Sequence, residues 1–376
     1  MITTENKKNN MKAVQGKELG DIDAMLTVED IQMPNLDDLP AKIRKKRMII
    51  QTRAVAISCG DCRVMSGKTR KFQGPPSFPY IPGGDCSGIV WKIPEEASKD
   101  PDYPFQVGDR VAARFTEGPR GALAEYSIID ITVCEKIPEN LSFEEGAVLA
   151  SVSPATLLAE RIQEGERVLV MGAGGGVGSH TCQVMRKRGA SYLAGVSLTP
   201  DRLLQEPLKY DKAINYSEKD AFSIKEFKDE PFDVVVDLAG GSWLRLIEDY
   251  NRKDKSIVKP ASQGGRYLAL APDEAIFEAK SLAGILKPFL FIPLWRAFKS
   301  RLWGRRHLPK YSFALSLDNE RSHLTRTMNM AEDGTLKAVM DSRGPFSFTT
   351  EGVRKAFRLQ ETRHVHGKVV VQVPNN

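Results

Sequence analysis

The stretch MGAGGGVGSH, residues 171–180, places five glycines in ten positions directly after the apolar run RVLV. Glycine inside a structural element costs up to about 1 kcal/mol relative to alanine, so this density asks for a geometric reason. Ala173, Gly174, Gly175, Gly176, Val177 and Gly178 follow a predicted strand and open a predicted helix. In that setting, the missing Cβ atoms let a pyrophosphate approach the main chain, and the first N–H groups of the helix face it. The chemistry this spacing supports is dinucleotide binding. The next predicted strand, YLAGVS, ends in Ser197, with Arg202 one turn beyond. An acidic residue there would bond the ribose hydroxyls of NAD and repel a 2′-phosphate, whereas a hydroxyl and a cation suit that phosphate. NADPH is therefore the expected cofactor, with Asp201 as an opposing charge beside the arginine.

Other reactive side chains are sparse. Cys59, Cys62, Cys86, Cys134 and Cys182 form an odd, scattered set, which argues against a disulfide scaffold and for a reducing compartment. Cys59 and Cys62 make a single CxxC; without histidine partners the pair reads as packed thiols rather than a metal or thiol-exchange site. His180 falls in the helix after the glycine turn and reads as packing or capping, and His307, His323, His364 and His366 show no ligand spacing. No histidine is taken as catalytic.

The elements that must position these residues divide the chain in two. Its 376 residues and 41% hydrophobic content allow two cores. The formal charge of +6, from 54 basic and 48 acidic residues, is a mild excess and not the footprint of a nucleic-acid binder. The start, MITTENKKNN, has neither the apolar core of a signal peptide nor the arginines of a transit peptide, and no apolar run is long enough to span a bilayer. The expectation is a soluble, cytoplasmic protein with a disordered tail at 1–10. From Met11 to about Pro138, short alternating runs (MIIQTRAVAI, CSGIVWKI, DRVAAR, AEYSII) predict an irregular, mostly antiparallel β domain, with 96–106 as a surface loop. Ser142 and Glu145 have the spacing of a capping box and predict a helix start. Beyond it, continuous apolar strands alternate with helices (RVLVMGA, SYLAGVS, KAINYS, FDVVVDLAG, GGRYLALA), as a doubly wound parallel sheet requires. The tail from about Tyr311, ending in GKVVVQV, is too short for a core of its own and is assigned to the first domain. The predicted fold class is α/β, with 11–140 plus 311–376 as one domain and 141–310 as the cofactor domain.

Taken in order, SCGDCRVMSG, FPYIPGGDCSGIV, FQVGDRVAA, GALAEYSII, VLVMGAGGGVG, AINYSEKD, FDVVVDLAGG, GGRYLALA and HGKVVVQV make the chain resemble the medium-chain dehydrogenase/reductase superfamily, in its zinc-free quinone oxidoreductase and enoyl reductase branch. The resemblance implies a GroES-like catalytic domain beside a Rossmann cofactor domain. Zinc-dependent members carry a cysteine where this chain has Ser58 and a histidine where it has Gly84, and structural-zinc members have four cysteines in a region, 89–133, that here has none. No metal is expected. By the same resemblance, Ser58 and Asp61 would line the cleft by the nicotinamide, Thr156 would reach toward the cofactor, and Ser197, Arg202 and Tyr216 would form the adenosine-phosphate pocket. Ala239 and Lys368 are added as cofactor contacts, and Tyr80 as a candidate donor that reads equally well as a buried structural tyrosine. Ser58 replaces the family's usual asparagine and Cys59 its proline. The implied reaction is hydride transfer from NADPH to a quinone or to the β-carbon of an α,β-unsaturated carbonyl, acceptors polarised enough to do without a Lewis acid. The alternatives are an alcohol or aldehyde reductase, and a cofactor-bound binding protein without turnover.

The segment SLAGILKPFLFIPLWRAFKSRLWGRR, 281–306, stands apart. It combines apolar residues from Pro288 to Trp295 with Lys287, Arg296, Lys299, Arg301, Arg305 and Arg306, and is similar to a stretch in the reticulon-interacting branch of the family. A basic amphipathic helix can lie on an anionic membrane surface. The reading favoured from sequence is that its apolar face covers the substrate cleft or a dimer contact and its basic residues face water. The expected partner is a small lipophilic quinone or enone, and the expected assembly a homodimer or monomer.

Overall fold

The computed structural model describes residues 10–68, 70, 74–75, 77–114, 121–273, 281–302, 306–314 and 321–374. They form two compact units, one of Met1–Ser153, Asn319–Gly334 and Ala338–Asn376, the other of Pro154–Asp318 and Thr335–Lys337.

The first unit is built on a mainly antiparallel sheet. Its central strand, Arg47–Ile57, pairs antiparallel with Asp85–Lys92, Val369–Gln372 and Tyr126–Asp130. Arg110–Arg114 and Cys134–Lys136 extend one side and the short Phe346–Ser347 the other. The carboxyl-terminal strand thus closes a sheet begun some three hundred residues earlier. A separate ribbon pairs Asn10–Gly16 with Leu26–Gln32. Asn10 is thereby a strand residue, while the rest of the expected tail, 1–9, lies outside the described residues. The loop expected at 96–106 is not wholly a surface feature. A helical turn occupies Glu95–Ser98, and Phe105 is buried in the apolar core with Val90 and Val111.

The second unit holds a six-stranded parallel sheet in the order Lys212–Asn215, Tyr192–Ser197, Arg167–Met171, Val234–Asp237, Arg266–Ala269, Lys310–Phe313. The β-branched run Val234, Val235, Val236 at its centre is fully buried, as a strand covered on both faces must be. The sixth strand runs past position 310, where the sequence reading placed the return to the first domain. Its Tyr311 explains why, since the ring stacks on Tyr267 of the neighbouring strand at 5.7 Å and meets Trp243 edge-on at 4.8 Å. That tertiary aromatic cluster outweighs the short length of the run.

The helix Phe143–Ala159 begins with the expected reciprocal cap, Ser142 N–H to Glu145 Oε2 at 2.8 Å and Glu145 N–H to Ser142 Oγ at 3.2 Å.

Candidate cofactor site

The parallel register aligns the carboxyl ends of the central strands. Met171 pairs with Val196, Asn215 with Ser197, and Asp237 with both Met171 and Ala269. Whatever follows these residues therefore emerges at one edge, where open α/β sheets bind ligands. Of the predicted residues, the glycine turn, Ser197, Tyr216 and Ala239 all fall there.

Gly172 leaves the first strand with φ +81°, and the N–H groups of Gly172 and Ala173 both donate to Val196 O, at 3.1 and 3.0 Å. The chain then turns into the helix Gly178–Lys187. The remaining glycines answer to space rather than to backbone conformation, since none of positions 174, 175, 176 and 178 has a positive φ. A Cβ on Gly178 would stand 2.5 Å from Gly172 O and 2.6 Å from Ala173 O, so this glycine lets the helix close on the strand. A Cβ on Gly174 would lie 2.6 Å from Ser197 Oγ, which places that hydroxyl directly against the turn. At Gly175 the nearest atom is 3.6 Å away, so the absent side chain there leaves a cradle that a Cβ would partly fill. His180 is buried in the new helix and its Nδ1 donates to Gly176 O at 2.7 Å, which fixes the tautomer and pins the turn. That is the packing role read from the sequence.

Ser197 is buried at its strand end, where its hydroxyl accepts from Thr199 N–H at 3.3 Å. Arg202 sits half-buried in the helical turn Pro200–Leu203, and Asp201 is exposed. Tyr216 follows the neighbouring strand and is exposed, as is Leu198. Leu198 escaped the sequence reading, for only the strand pairing brings the two exposed apolar side chains to one edge.

The loop carrying Ala239 is held by a residue the sequence reading also missed. Asp237 is buried, and its Oδ1 accepts from the N–H groups of Ala239 and Gly240 at 3.1 and 2.8 Å. Its Oδ2 accepts from Ser242 N–H at 3.2 Å and from the Tyr267 hydroxyl. Burial, then the charge of Asp237, push the Tyr267 phenol well above its ordinary range and keep it a donor. The one available signal was a carboxylate ending an otherwise apolar run. Gly240, at φ +87°, could not carry a side chain, because a Cβ would meet Pro272 O at 2.2 Å.

The remaining predicted residues belong to other elements. Thr156 falls in the helix Phe143–Ala159, and its side chain is outside the described residues. In the first unit, Ser58 precedes the helix Cys59–Met65, and Asp61 Oδ2 accepts from both its N–H at 2.8 Å and its hydroxyl at 2.7 Å. Asp61 is itself buried, so the pair fixes the start of that helix. Tyr80 is buried with its hydroxyl against Met65 Sδ and its backbone bridged to Gly16, a packed environment. Lys368 is buried in the first unit, where its backbone bridges to Met340.

Among the described residues, no three side chains of His, Cys, Asp and Glu gather as a metal set. The residues at the expected ligand positions do not fit zinc, since Ser58 is engaged by Asp61 and Gly84 offers no donor. The two thiols of the CxxC differ in their surroundings. Burial, and next the neighbouring Asp61 charge, push the Cys62 thiol far up, while Cys59 Sγ is met by Gln360 Nε2 at 3.1 Å.

A parallel sheet with a glycine turn at the carboxyl end of its first strand defines a nicotinamide-dinucleotide site. Comparison with known proteins agrees. Residues 44–139 match the alcohol dehydrogenase GroES-like domain, and residues 208–371 match the zinc-binding dehydrogenase family. The chain is 28% identical over 367 residues to the NADPH-dependent alkenal/one oxidoreductase, chloroplastic, of Arabidopsis thaliana, covering 96% of this chain and 79% of that one. It is 27% identical over 270 residues to the quinone oxidoreductase of Mus musculus, covering 69% and 73% respectively. The quinone oxidoreductase structure from Coxiella burnetii superposes with a TM-score of 0.70 at 22% identity, covering 97% of this chain and all of that one, and shares the fold. The chain is an oxidoreductase with an NAD(P)-binding fold. It belongs to the medium-chain dehydrogenase/reductase superfamily, in its quinone oxidoreductase branch.

Proposed function

We propose that the protein is an NADPH-dependent reductase that transfers hydride to the activated double bond of an α,β-unsaturated carbonyl or to a quinone, without zinc. The observation that carries this reading is the pairing of the glycine turn with Ser197, a hydroxyl where NAD-selective sites place a carboxylate. The names of the alkenal/one and quinone oxidoreductase relatives support the acceptor class.

In this reading, the first N–H groups of the helix Gly178–Lys187 and the glycine turn hold the pyrophosphate. The Ser197 hydroxyl and the Arg202 guanidinium hold the 2′-phosphate, and Tyr216 packs at the adenosine end. Thr156 and Ala239 serve the nicotinamide end, with Asp237 fixing the Ala239 loop, and Lys368 is a further cofactor contact. When bound, the reduced nicotinamide supplies a hydride equivalent. The chain's contribution is to place it, because an enone or quinone is already polarised and near-attack positioning supplies most of the rate. The resulting oxygen is met by a hydrogen-bond donor or by water. The substrate is small and lipophilic, and the protein acts in the cytoplasm as a monomer or homodimer. Among the described residues, no helix is long and apolar enough to cross a membrane.

The test is nicotinamide oxidation followed by absorbance, with 2-alkenals and quinones as acceptors and NADH run beside NADPH. Turnover with NADPH and at least one acceptor class is expected. Binding of neither pyridine nucleotide would overturn the reading, and binding without turnover would replace it with a cofactor-loaded binding protein.

A further inference from the structure

The helix Ile292–Leu302 is amphipathic in the inverted sense. Stepping about 100° per residue, Pro293, Arg296, Ala297 and Ser300 share one face, and Leu294, Trp295, Phe298 and Leu302 the opposite one. The first face is the inner one. Pro293 and Ser300 are buried, and Ala297 packs on the apolar core of the second unit. Arg296 forks onto both carboxylate oxygens of Asp273 at 2.9 and 2.6 Å. Ser300 Oγ accepts from Tyr311 N–H at 3.1 Å and donates to Ala297 O at 3.1 Å. The polar residues are thus satisfied inward, which leaves the large apolar ones outward. Together with Leu290 and Phe291 of the preceding turn, they are 37% to 60% exposed. In the chain by itself the large apolar side chains of this helix are therefore exposed and do not pack on the core of the second unit.

Charge decides what occupies this face. Lys299 and Arg301 border the apolar stripe on its two sides and are exposed, as are Lys287 and Arg306 nearby. Residues 281–314 contain no aspartate or glutamate. A contiguous apolar stripe of this size calls for an occupant. A second copy of the same helix would bring Lys299 and Arg301 against their own kind with no acid to pair them. An anionic bilayer surface satisfies both features at once, taking Trp295, Phe298 and the leucines to the level of the acyl boundary while the basic side chains reach lipid phosphates. Eleven residues are too few to span a bilayer, so the helix lies in the interface.

We propose that the outer face of Ile292–Leu302 docks the protein on an anionic membrane surface. This is independent of the proposed reaction, because vesicle binding requires no turnover. The test is sedimentation of the full-length chain with phosphatidylcholine vesicles, and with vesicles in which a third of the lipid is phosphatidylglycerol, alongside size-exclusion chromatography. The wild type is expected to pellet with the anionic vesicles only, and to be released by salt. The double variant Lys299→Gln, Arg301→Gln should bind about 30-fold more weakly, at roughly fivefold per basic residue. Leu294→Ser with Phe298→Ser should also lose binding, and since all four side chains are exposed, neither variant should move the thermal midpoint or the elution volume. Failure to pellet with anionic vesicles would overturn the proposal. So would a dimer in solution that Leu294→Ser with Phe298→Ser converts to monomer, which would make the occupant a second copy.

Discussion

Replacing Gly175 with alanine separates the requirements of the fold from those of the cofactor. The added Cβ would find Gly172 O at 3.6 Å as its nearest neighbour, an ordinary van der Waals contact, and the position has no positive φ. The fold should accept the methyl group, and the thermal midpoint should hold or rise slightly, by up to about 1 kcal/mol, because alanine restricts the unfolded chain. Gly178→Ala is the contrasting case. There the Cβ would press to 2.5 Å from Gly172 O and 2.7 Å from Ala173 Cα, main-chain atoms that cannot swing aside, so a loss of about 1–3 kcal/mol is expected. If the turn holds a pyrophosphate, the Gly175→Ala methyl stands where phosphate meets main chain, and the same overpacking cost of about 1–3 kcal/mol falls on binding alone. That is a loss of roughly 5- to 150-fold in NADPH affinity. Calorimetric titration beside a thermal melt reads both quantities. An unchanged affinity in a stable Gly175→Ala protein would refute the assignment of this turn as the phosphate cradle, and a collapsed midpoint would refute the spacing argument itself.

Four further outcomes follow from the same geometry. Ser197→Asp puts a carboxylate where the 2′-phosphate is proposed to sit, so the ratio of kcat/KM for NADPH over NADH should fall at least tenfold; an unchanged ratio would place the selectivity elsewhere. Asp237→Asn swaps an acceptor oxygen for a donor amide facing Ser242 N–H and the Tyr267 hydroxyl, and urea denaturation should show a loss of about 1–3 kcal/mol. Burial pushes the thiols of Cys62, Cys86 and Cys134 far up and that of Cys182 up to about 12, so iodoacetamide at mildly alkaline pH should modify the exposed Cys59 alone in the native protein and all five cysteines after unfolding, as counted by mass. Burial raises the Glu135 carboxyl, but hydrogen bonds from Arg321 and Thr325 outweigh it and leave it below the ordinary range. A depressed native pKa contributes stability at neutral pH that disappears as pH falls through that value, so Glu135→Gln should flatten the acid limb of the stability profile.

How much of this was legible in the sequence depends on the range of the forces involved. The Ser142–Glu145 cap acts over three residues, and its spacing alone announced it. The glycine turn was equally readable, because strand, turn and helix adjoin in the chain. Ser197 was found by its place at the end of a predicted strand, yet its proximity to Gly174 became visible only with the register between the strands. Asp237 was missed because its four donors come from three loop N–H groups and from Tyr267, thirty residues away. Periodicity likewise marked Ile292–Leu302 as amphipathic without saying which face turns inward. That was settled by Asp273 and Tyr311, whose bonds to Arg296 and Ser300 outweigh the burial preference of leucine and tryptophan. Ser58 and Asp61 were singled out by resemblance, and their mutual bonding shows a helix start that local chemistry explains on its own.

The most direct measurement of the central claim uses NADPH carrying deuterium at C4 of the nicotinamide, with a 2-alkenal as acceptor and the product analysed by mass spectrometry and NMR. Hydride transfer to the activated double bond predicts a saturated aldehyde with the label on its β-carbon. Label on the carbonyl carbon of an allylic alcohol, or a cofactor that demonstrably binds yet is oxidised by neither the 2-alkenal nor a quinone, would contradict it.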